Sequence, residues 1–549
     1  MTEAIQAIDS LIQEGRKSLL VNWRGYERRL LIEIIRSLDH AAFALTLAPN
    51  AAALATTDAA RRFILQGAAM AMAPLLRAQE DQPAGFPWEP SHPRMIDFAD
   101  RYLRMCGQLD CARRLIEAEK YGLTRVRGPD HGRIVIEVED DAGEHVERRS
   151  GAWLVGEMRE APLAELSSRK KQSRKRIDRS VKLHQGWFIR YETSARAMRY
   201  HKKLAAARVL GNAESEALPP QAEVGGRSFS QWIDLANAAQ GRALLHIANA
   251  TRLLATHKHL DLRNLLTSYS DCDSAISLLN EQQVAAAVGA EELSILTLDH
   301  EGAVQCEREH EIPLPYFIRL AEGILLLPVF GALLNPCAAL TWNLRSKYRT
   351  DWDRGVGGRE ARFREDLRQV FPPARYDIPE HGFKLRRENG EQLTDVDAIV
   401  LDRESGRLAL VQLKWHDIFG HSLRERRNRL TNLLDANEWV HRVIAWTAGR
   451  SARDVAADLM IRSASETQSP QLIVLARHAA RFTNGVNFDD RAAWISWPEL
   501  VRIATENRGI RLLETIERDF AGGGVGMPVA KATAQIFSFP NLTVEIRAT

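Results

Sequence analysis

The chain has 549 residues, of which 45% are hydrophobic and 26% charged, and its formal net charge at pH 7 is +3. This length provides for about two to four domains, and the composition is that of a globular protein, which excludes a disordered or fibrous chain. The net charge is too small for the whole surface to attract nucleic acid, so any such binding requires a local basic patch.

The five cysteines are odd in number, and none of them forms a Cys-X-X-Cys pair. This pattern argues against a zinc ribbon and against a disulfide framework, and it suits a reducing compartment. Acidic side chains occur near the N-terminus, and the first residues do not form a basic segment followed by an apolar one. No secretory signal is therefore expected. We therefore expect a cytoplasmic protein.

The first part of the chain has the pattern of a helical region. Residues 1 to about 120 are rich in Ala and Leu and repeat apolar residues at helical spacing, with a proline-rich break at 82–93. Helices are expected to resume from about 151 and to continue to about 288. The sequence thus predicts a mainly α-helical N-terminal region, 1–345, which could divide into two subdomains near 218–226.

Small β-hairpins are predicted within this region. Residues 132–146 alternate apolar and polar side chains around an Asp-Asp-Ala-Gly turn, which is typical of a hairpin. Residues 294–305 show a second, shorter alternation around a glycine, and a hairpin is predicted there too.

One strong basic run occurs at 169–182, and Trp187, Phe188 and Tyr191 follow it. Lysine and arginine neutralise backbone phosphates and release counterions, so the run indicates a helix that contacts nucleic acid, with aromatic neighbours. The alternative is the solvated face of a helix whose other side is apolar. The residues of this run predicted to bind nucleic acid are Arg169, Lys170, Lys171, Arg174, Lys175 and Arg176.

A run of 20 residues without a charge, 323–342, is long enough in principle to cross a bilayer. Pro328, Gly331 and Asn335-Pro336 interrupt it. We predict that it forms buried connections where the N-terminal region meets the next domain, and we expect no membrane partner.

The segment 395–415 contains the side chains that suit a metal-binding catalytic site. Two apolar runs of strand length flank a turn at 405–406, which predicts a hairpin. Alternate residues of a strand share a face, so Gln412 and Lys414 point the same way, and Asp397 can lie beside them if the strands pair. Carboxylate and amide oxygens suit Mg²⁺, and a lysine can position a water or stabilise charge on a phosphate. These side chains predict phosphodiester hydrolysis, whereas the alternative is an ordinary hairpin without a site.

At these residues the chain resembles the PD-(D/E)XK, or restriction-endonuclease-like, superfamily. The resemblance covers roughly residues 355 to 500 and implies an α/β core of helix, three-stranded meander, helix and strand. It places Asp397 in the Asp position of the second strand, and Gln412 and Lys414 in the Glu and Lys positions of the third. Asp397 and Gln412 would then hold the metal, which the resemblance implies to be Mg²⁺ or Mn²⁺.

The family often carries a further glutamate on the preceding helix, and Glu360 fits that place. We prefer Glu360 to Glu365 because it shares a helical stripe with apolar residues. The chain departs from the family pattern in two ways. No proline precedes the Asp, and Asp395 is a rival for Asp397 on the same strand face. Gln412 stands where a Glu is usual, which removes one negative charge and should weaken metal binding.

A second basic run follows the predicted active strand. Arg424, Arg426 and Arg427 lie on the next predicted helix, where they would grip a substrate strand, unless they only cover a surface helix. We predict a restriction-endonuclease-like domain at 350–510 and a C-terminal linker and hairpin tail at 511–549, with a glycine-rich stretch at 522–526.

The resemblance implies a metal-dependent endonuclease that hydrolyses phosphodiester bonds of DNA, in restriction, phage defence or DNA repair. The chain has no Gly-Lys-Ser/Thr phosphate loop, so a partner protein would supply any ATP motor or trigger. Cleavage of both strands would favour a homo-oligomer. Two alternatives stay open: a catalytically weak or inactive nucleic-acid-binding protein, to which Gln412 points, and a helical interaction scaffold with an accessory nuclease-like domain.

Overall fold

The structure is a computed structural model and shows a mixed α/β protein in which helices predominate. The described residues are 2–47, 55–79, 86–138, 142–282, 286–320, 323–416, 423–461, 468–480, 488–507, 511–520 and 534–548. Side chains at 55–57, 142–145, 169–180, 424, 429 and 430 lie outside this description.

Helices form the first part of the chain, as predicted. Their apolar stripes face one another, and Leu30, Ile34 and Leu103 have no exposed surface. The proline-rich break ends at His92, whose ring nitrogen accepts a hydrogen bond from the Arg94 N–H and caps the next helix. The helices are α1 (Thr2–Asn22), α2 (Glu27–Leu47), α3 (Ala55–Gln66), α4 (Ala68–Ala78) and α5 (Pro93–Ala118).

The first hairpin lies earlier than predicted. Strand β1 (Thr124–Asp130) pairs antiparallel with β2 (Arg133–Val138) around a turn in which His131 and Gly132 both have positive φ. Glycine adopts this conformation without a Cβ penalty, which favours the turn here. The prediction of a turn near 139–143 was wrong, since helix α6 (Ala142–Ser180) begins there.

The rest of the N-terminal region alternates short strands with helices. Asp299 accepts a hydrogen bond from the Gly302 N–H (2.9 Å) and starts a helix, so the hairpin predicted at 294–305 was wrong. The elements are β3 (Val181–His184), β4 (Phe188–Tyr191), α7 (Ala195–Val209), β5 (Glu223–Val224), β6 (Arg227–Ser228), α8 (Phe229–Thr256), α9 (Arg263–Leu266), β7 (Ser268–Asp271), α10 (Cys272–Asn280), α11 (Ala290–Ile295), β8 (Thr297–Leu298), α12 (His300–Arg308), β9 (Phe317–Arg319), β10 (Ile324–Leu327), α13 (Phe330–Leu334) and α14 (Ala338–Lys347). Short 3-10 turns occur at Glu119–Tyr121 and Ala213–Glu216.

The uncharged run 323–342 forms β10, α13 and the start of α14, and it is largely buried, as predicted. Asp39 of α2 holds it in place, because its carboxylate accepts hydrogen bonds from the Val329 N–H (2.7 Å) and the Phe330 N–H (2.9 Å). Within the described residues, no helix has the length and apolar character needed to span a membrane.

The C-terminal half contains a five-stranded mixed sheet. Its strands lie in the order β11-β14-β15-β16-β17; the first three are antiparallel, and the last two run parallel to β15. The elements are α15 (Arg349–Gly357), α16 (Arg359–Val370), β11 (Tyr376–Asp377), β12 (Phe383–Arg386), β13 (Gln392–Val396), β14 (Ala398–Asp402), β15 (Leu408–Lys414), α17 (Leu423–Thr447), α18 (Ala452–Asp458), β16 (Gln471–Ala476), β17 (Ala492–Ser496), α19 (Trp497–Glu506) and α20 (Leu512–Phe520).

Helices cover both faces of this sheet. Leu408 and Leu410 of β15 face α17 and α18, whereas the alternate residues Ala409 and Val411 face α16, α19 and α20. This burial on both faces explains why β14 and β15 are continuously apolar. The linker predicted from residue 511 was wrong at its start, since α20 packs its apolar side on the sheet. The glycine-rich stretch at 522–526 lies outside the described residues.

The C-terminal tail forms the predicted hairpin, β18 (Gln535–Phe539) and β19 (Leu542–Ala548). Strand β19 also pairs in parallel with β2, which gives a four-stranded sheet in the order β1-β2-β19-β18. The end of the chain thus completes a sheet that begins in the N-terminal region.

Candidate functional site

The predicted site forms where β14 begins and β15 ends. Strand β14 pairs with β15 in the predicted hairpin, with Ala398 opposite Val411. Asp397 lies at the junction between β13 and β14, and its N–H donates to the Val411 carbonyl oxygen (3.1 Å). This register brings Asp397 next to Gln412, although 15 residues separate them in sequence.

Asp397 and Gln412 contact each other directly. The Gln412 side-chain amide donates to Oδ2 of Asp397, and the Leu413 N–H donates to the same oxygen (2.7 Å). Both side chains are buried, with 5% and 8% of their surface exposed. A buried carboxyl group requires such partners, because losing hydration without them is costly.

Lys414 ends β15, two residues beyond Gln412 and therefore on the same face. It is half-buried, whereas the six preceding residues of the strand are buried. The lysine thus stands where the apolar strand meets solvent, beside the Asp397–Gln412 pair. Its backbone oxygen accepts a hydrogen bond from the Arg477 N–H (2.8 Å).

The electrostatic surroundings of Asp397 oppose its ionisation. Burial is the largest cause that raises the pKa of Asp397 to about 7, and the negative charges of Glu360 and Asp395 add to it. The Leu413 N–H and the positive charge of Lys414 act in the other direction but do not compensate. Burial, more than the neighbouring acids, therefore favours the protonated form of Asp397.

Arg364 of α16 connects Glu360, the acid predicted on that helix, to this site. Its Nε donates to the Asp397 carbonyl oxygen (2.6 Å), its Nη1 donates to the Glu380 carbonyl oxygen (3.2 Å), and its Nη2 pairs with the Glu360 carboxylate. Sequence reasoning missed Arg364. An arginine in the same helical stripe as Phe363 and Leu367 was the available signal, because a buried arginine needs acceptors.

The rival acids occupy different surroundings. Asp395 is exposed, and its backbone oxygen accepts from the Trp439 indole of α17 (2.7 Å). Glu365 pairs with Arg368 on the outer side of α16 (2.8 Å). Asp397 is thus the acid bound to Gln412, and Glu360 is the helical acid whose charge reaches it.

Arg477 is a second residue that sequence reasoning missed. It follows β16 directly, and its guanidinium lies 4.8 Å from the ring centre of Trp415 and 4.9 Å from that of Trp497. It also bonds to Asp366 (2.8 Å) and Glu216 (2.6 Å). The sequence signal is an arginine at the end of an apolar strand, the same kind of position as Lys414. Its contacts hold the end of β16 beside the end of β15.

The donor set fits a cation that keeps much of its water. Asp397 offers a carboxylate oxygen, and a half-turn of the Gln412 amide would present its oxygen beside Asp397, whereas Glu360 is held by Arg364 and acts on Asp397 through its charge. A bound cation would favour the ionised form of Asp397, which burial opposes. In the described part of the chain, no group of three or more His, Cys, Asp or Glu residues is placed to hold a metal ion. Mg²⁺ favours sites that supply few protein ligands and leave several of its own water molecules bound.

The predicted nucleic-acid-binding residues lie on two helices. Arg169, Lys170, Lys171, Arg174, Lys175 and Arg176 lie on α6, and their side chains are outside the described part of the structure. Arg424, Arg426 and Arg427 lie in the first turns of α17, the helix that follows the site strand. Arg427 is exposed, Arg426 is half-buried, and the side chain of Arg424 is not described. The basic run on α17 is therefore close in sequence to Lys414, and the run on α6 belongs to another region.

The aromatic residues after the first basic run divide between two environments. Trp187 and Phe188 pack with Trp88 in a cluster of rings, at centroid distances of 6.4 Å and 5.6 Å from it. Tyr191 turns inward instead, and its hydroxyl is bonded to the His246 ring (2.9 Å). Tyr191 therefore does not face a surface ligand.

Comparisons with protein-family models, with curated proteins and with solved structures found no match to this chain.

Proposed function

We propose that this chain is a metal-dependent nuclease that hydrolyses phosphodiester bonds of DNA through a site at Asp397, Gln412 and Lys414. The observation that carries the proposal is the meeting of these three side chains on one sheet face, at the solvent-facing end of an otherwise buried strand. A carboxyl and an amide in a buried strand pair are costly unless they serve a purpose.

The order of elements supports the same proposal. A helix (α16) precedes three antiparallel strands (β11, β14 and β15), with the separate β12–β13 hairpin inserted after the first, and helices α17 and α18 then lead to a strand parallel to the third (β16). Apart from this insertion and α18, the order agrees with the one that the PD-(D/E)XK resemblance implies. The resemblance places the acid at the second strand and the Gln-X-Lys on the third; here Asp397 lies one residue before β14, and Gln412 and Lys414 lie at the end of β15.

The roles proposed for the residues follow from their places. Asp397 and Gln412 would hold Mg²⁺ or Mn²⁺, with Glu360 in support, and such an ion supplies a Lewis acid for the phosphate oxygens when bound. Lys414 presents its ammonium group beside them, where it can donate a hydrogen bond to a phosphate oxygen or hold a water in line. Arg364 fixes the Asp397 backbone and the Glu360 carboxylate.

The substrate proposal rests on the basic residues of α17. Arg426 and Arg427 lie on the helix that follows the site strand, and DNA backbone contacts are made by such side chains. A role in restriction, phage defence or DNA repair would suit such an activity. A partner protein would then supply any trigger or motor, and cleavage of two strands would need a homo-oligomer.

One observation favours a second candidate, a nucleic-acid-binding protein with weak or no catalysis. The Gln412 amide donates to the very carboxylate that would bind the metal, and a glutamine contributes no charge of its own. If this hydrogen bond persists in the presence of metal, no ion would be held at Asp397, and the chain would bind nucleic acid through its basic residues without cutting it.

Incubation of the purified chain with supercoiled plasmid, with and without Mg²⁺ or Mn²⁺, tests the proposal. We expect metal-dependent nicking that Lys414→Ala reduces by at least about 100-fold, the scale of removing one positioned electrostatic or proton-transfer group. Lys258→Ala, an exposed lysine of the N-terminal region, is the matched control and should cut like the wild type.

Gln412→Glu distinguishes the two candidates in the same assay. A carboxylate at this position should lower the metal concentration needed for nicking if the wild-type site is a weak metal site. Absence of nicking by the wild type and by Gln412→Glu, with salt-sensitive DNA binding retained by both, would favour the binding protein instead.

A further inference from the structure

The hairpin of β12 and β13 forms a two-stranded ribbon that is separate from the five-stranded sheet. Lys384 lies opposite Asp395 in this ribbon, and Arg386 lies opposite Gln392. Residues directly opposite each other share a face, and so do residues two apart in one strand. All four side chains are exposed, so one face of the ribbon is a polar surface open to solvent.

The other face of the ribbon is fixed to helix α17. Leu385 is buried in the hydrophobic core that α17 forms with the sheet. Trp439 of α17 donates its indole N–H to the Asp395 carbonyl oxygen (2.7 Å), and Trp446 donates its own to the Arg386 carbonyl oxygen (3.0 Å). Each strand of the ribbon is thus bonded to the helix, which holds the polar face outward.

The base of the ribbon adjoins the Asp397 site. Strand β13 ends at Val396, and Asp397 follows it directly. Gly382, the residue before β12, lies so close to this junction that a Cβ there would meet the Val396 carbonyl oxygen at 2.9 Å. Arg364 donates to the carbonyl oxygens of Glu380 (3.2 Å) and Asp397 (2.6 Å), and so joins the start of the ribbon to the site. The exposed face therefore begins beside the proposed metal ligand.

The side chains of the exposed face suit the base edges of DNA. Lysine and arginine donate to O6 and N7 of guanine, and glutamine bonds to N6 and N7 of adenine. Within the described part of the chain, Lys384 forms no ion pair. Arg386 donates to the Gly390 carbonyl oxygen of its own turn (2.8 Å), which is a neutral acceptor. Both cations are thus open to a ligand.

Acids accompany these cations. Glu391 lies 3.8 Å from Arg387, whereas Glu388 is exposed in the turn and Asp395 is exposed on the ribbon face. A face of mixed charge does not suit the phosphate backbone, which carboxylates repel. It suits base edges, because these present donors as well as acceptors, and an aspartate can accept from N4 of cytosine.

We propose that the β12–β13 ribbon enters the major groove of duplex DNA and contacts base edges through Lys384, Arg386 and Gln392. The groove is about 12 Å wide and admits a two-stranded ribbon, whose strands lie about 4.8 Å apart. The inference rests on the proposed nuclease function and adds a preference for base sequence to it. Guanine is the base expected opposite the two cations.

Binding of a short, GC-rich, fluorescent duplex tests the ribbon without cleavage when Lys414→Ala protein is used in Mg²⁺. Replacing guanine by 7-deazaguanine removes the N7 acceptors from the major groove and leaves the phosphates unchanged. We expect anisotropy to show binding weakened about fivefold or more, which corresponds to about 1 kcal/mol and to one base contact. With Lys384→Ala and Arg386→Ala added, the protein should bind both duplexes equally and about tenfold more weakly.

Arg511→Ala with Arg518→Ala is the matched control, since it removes the same charge from exposed positions at α20, on the other face of the sheet. This control should keep the full 7-deazaguanine effect. Absence of duplex binding would overturn the proposal, and so would a 7-deazaguanine effect that is missing at the start or persists without Lys384 and Arg386.

The plasmid assay separates this result from the nuclease proposal. An uncut plasmid together with the expected 7-deazaguanine effect would remove the nuclease and keep the ribbon as a DNA-reading element. Metal-dependent nicking without that effect would keep the nuclease and remove the ribbon from base recognition.

Discussion

Asp397 holds a carboxyl group where burial and two neighbouring acids oppose its ionisation. The sequence identified Asp397, Gln412 and Lys414 because strand alternation is a local property that needs only a hairpin register to bring them together. It did not identify Arg364, whose role depends on the backbone oxygens of Asp397 and Glu380. Which carbonyls a helix meets is decided by packing, and no periodicity in the chain encodes it.

Asp397→Asn should reveal this environment through the pH dependence of stability. The pKa of Asp397 in the folded chain is raised to about 7, so its favourable contribution is fully present below the unfolded pKa of 3.8. This contribution is lost as the pH rises through 7. Since asparagine does not ionise, the variant should gain about 2 kcal/mol relative to the wild type between pH 5 and pH 8.

Thermal unfolding of both proteins at the two pH values measures this difference. Glu388→Gln, in the exposed turn between β12 and β13, is the control and should show no such trend. A variant that is destabilised equally at pH 5 and pH 8 would mean that Asp397 is charged and satisfied throughout this range.

At the scale of elements, the strands could be predicted from the sequence, whereas the contacts at their ends could be seen only in the tertiary structure. The apolar runs of β14, β15 and β16 were readable, because burial on both faces leaves continuous hydrophobic segments. The hairpin predicted at 294–305 failed because one capping side chain, Asp299, converts an alternating segment into a helix start. Short segments are open to such competition between a cap and a turn.

Arg477 illustrates an element end that depends on distant partners. It joins β16 to α16 through Asp366, whose carboxylate is 7% exposed, and stacks between aromatic rings. Arg477→Met should destabilise the protein by about 2 kcal/mol, because the buried Asp366 carboxylate then keeps only the half-exposed Arg362 as its charged partner (3.0 Å). Arg502→Met, which breaks an exposed pair with Glu506, should cost less than about 1 kcal/mol.

Urea unfolding curves of the two variants provide the comparison. Adding Asp366→Leu to Arg477→Met should restore part of the lost stability, since the buried acid that lost one of its two arginine partners is then removed. If the double variant is no more stable than Arg477→Met, the arginine acts mainly through its aromatic contacts.

At the scale of the whole molecule, the C-terminal tail and a hairpin of the N-terminal region meet in one sheet. Strand β19 pairs with β2, and Arg133 bonds to Glu545 although 412 residues separate them. Phe537 of β18 is 3% exposed and packs edge to face on Phe63 of α3, at a centroid distance of 5.2 Å. The α/β domain is thus enclosed in sequence by two segments that share a core.

Phe537→Ala should therefore destabilise the N-terminal region by about 3 kcal/mol, the usual cost of truncating a buried phenylalanine. Ile536→Ala is the matched control on the same strand, because Ile536 is 62% exposed and its truncation should cost less than about 0.5 kcal/mol. Hydrogen exchange at the amides of β2 reports the effect. Equal protection in the two variants would show that the tail does not stabilise this sheet.

The sequence by itself determined the helical character of the first region, the strands β14, β15 and β16, the tail hairpin, and the placement of Gln412 and Lys414 on one face of β15. These features follow from periodicity and turn chemistry, which act over a few residues. Only the tertiary structure decided the partner of the tail, the packing of α20 on the sheet, and the contacts of Arg364 and Arg477. Each of these joins segments far apart in the chain, where the free energy depends on packing and burial rather than on local pattern.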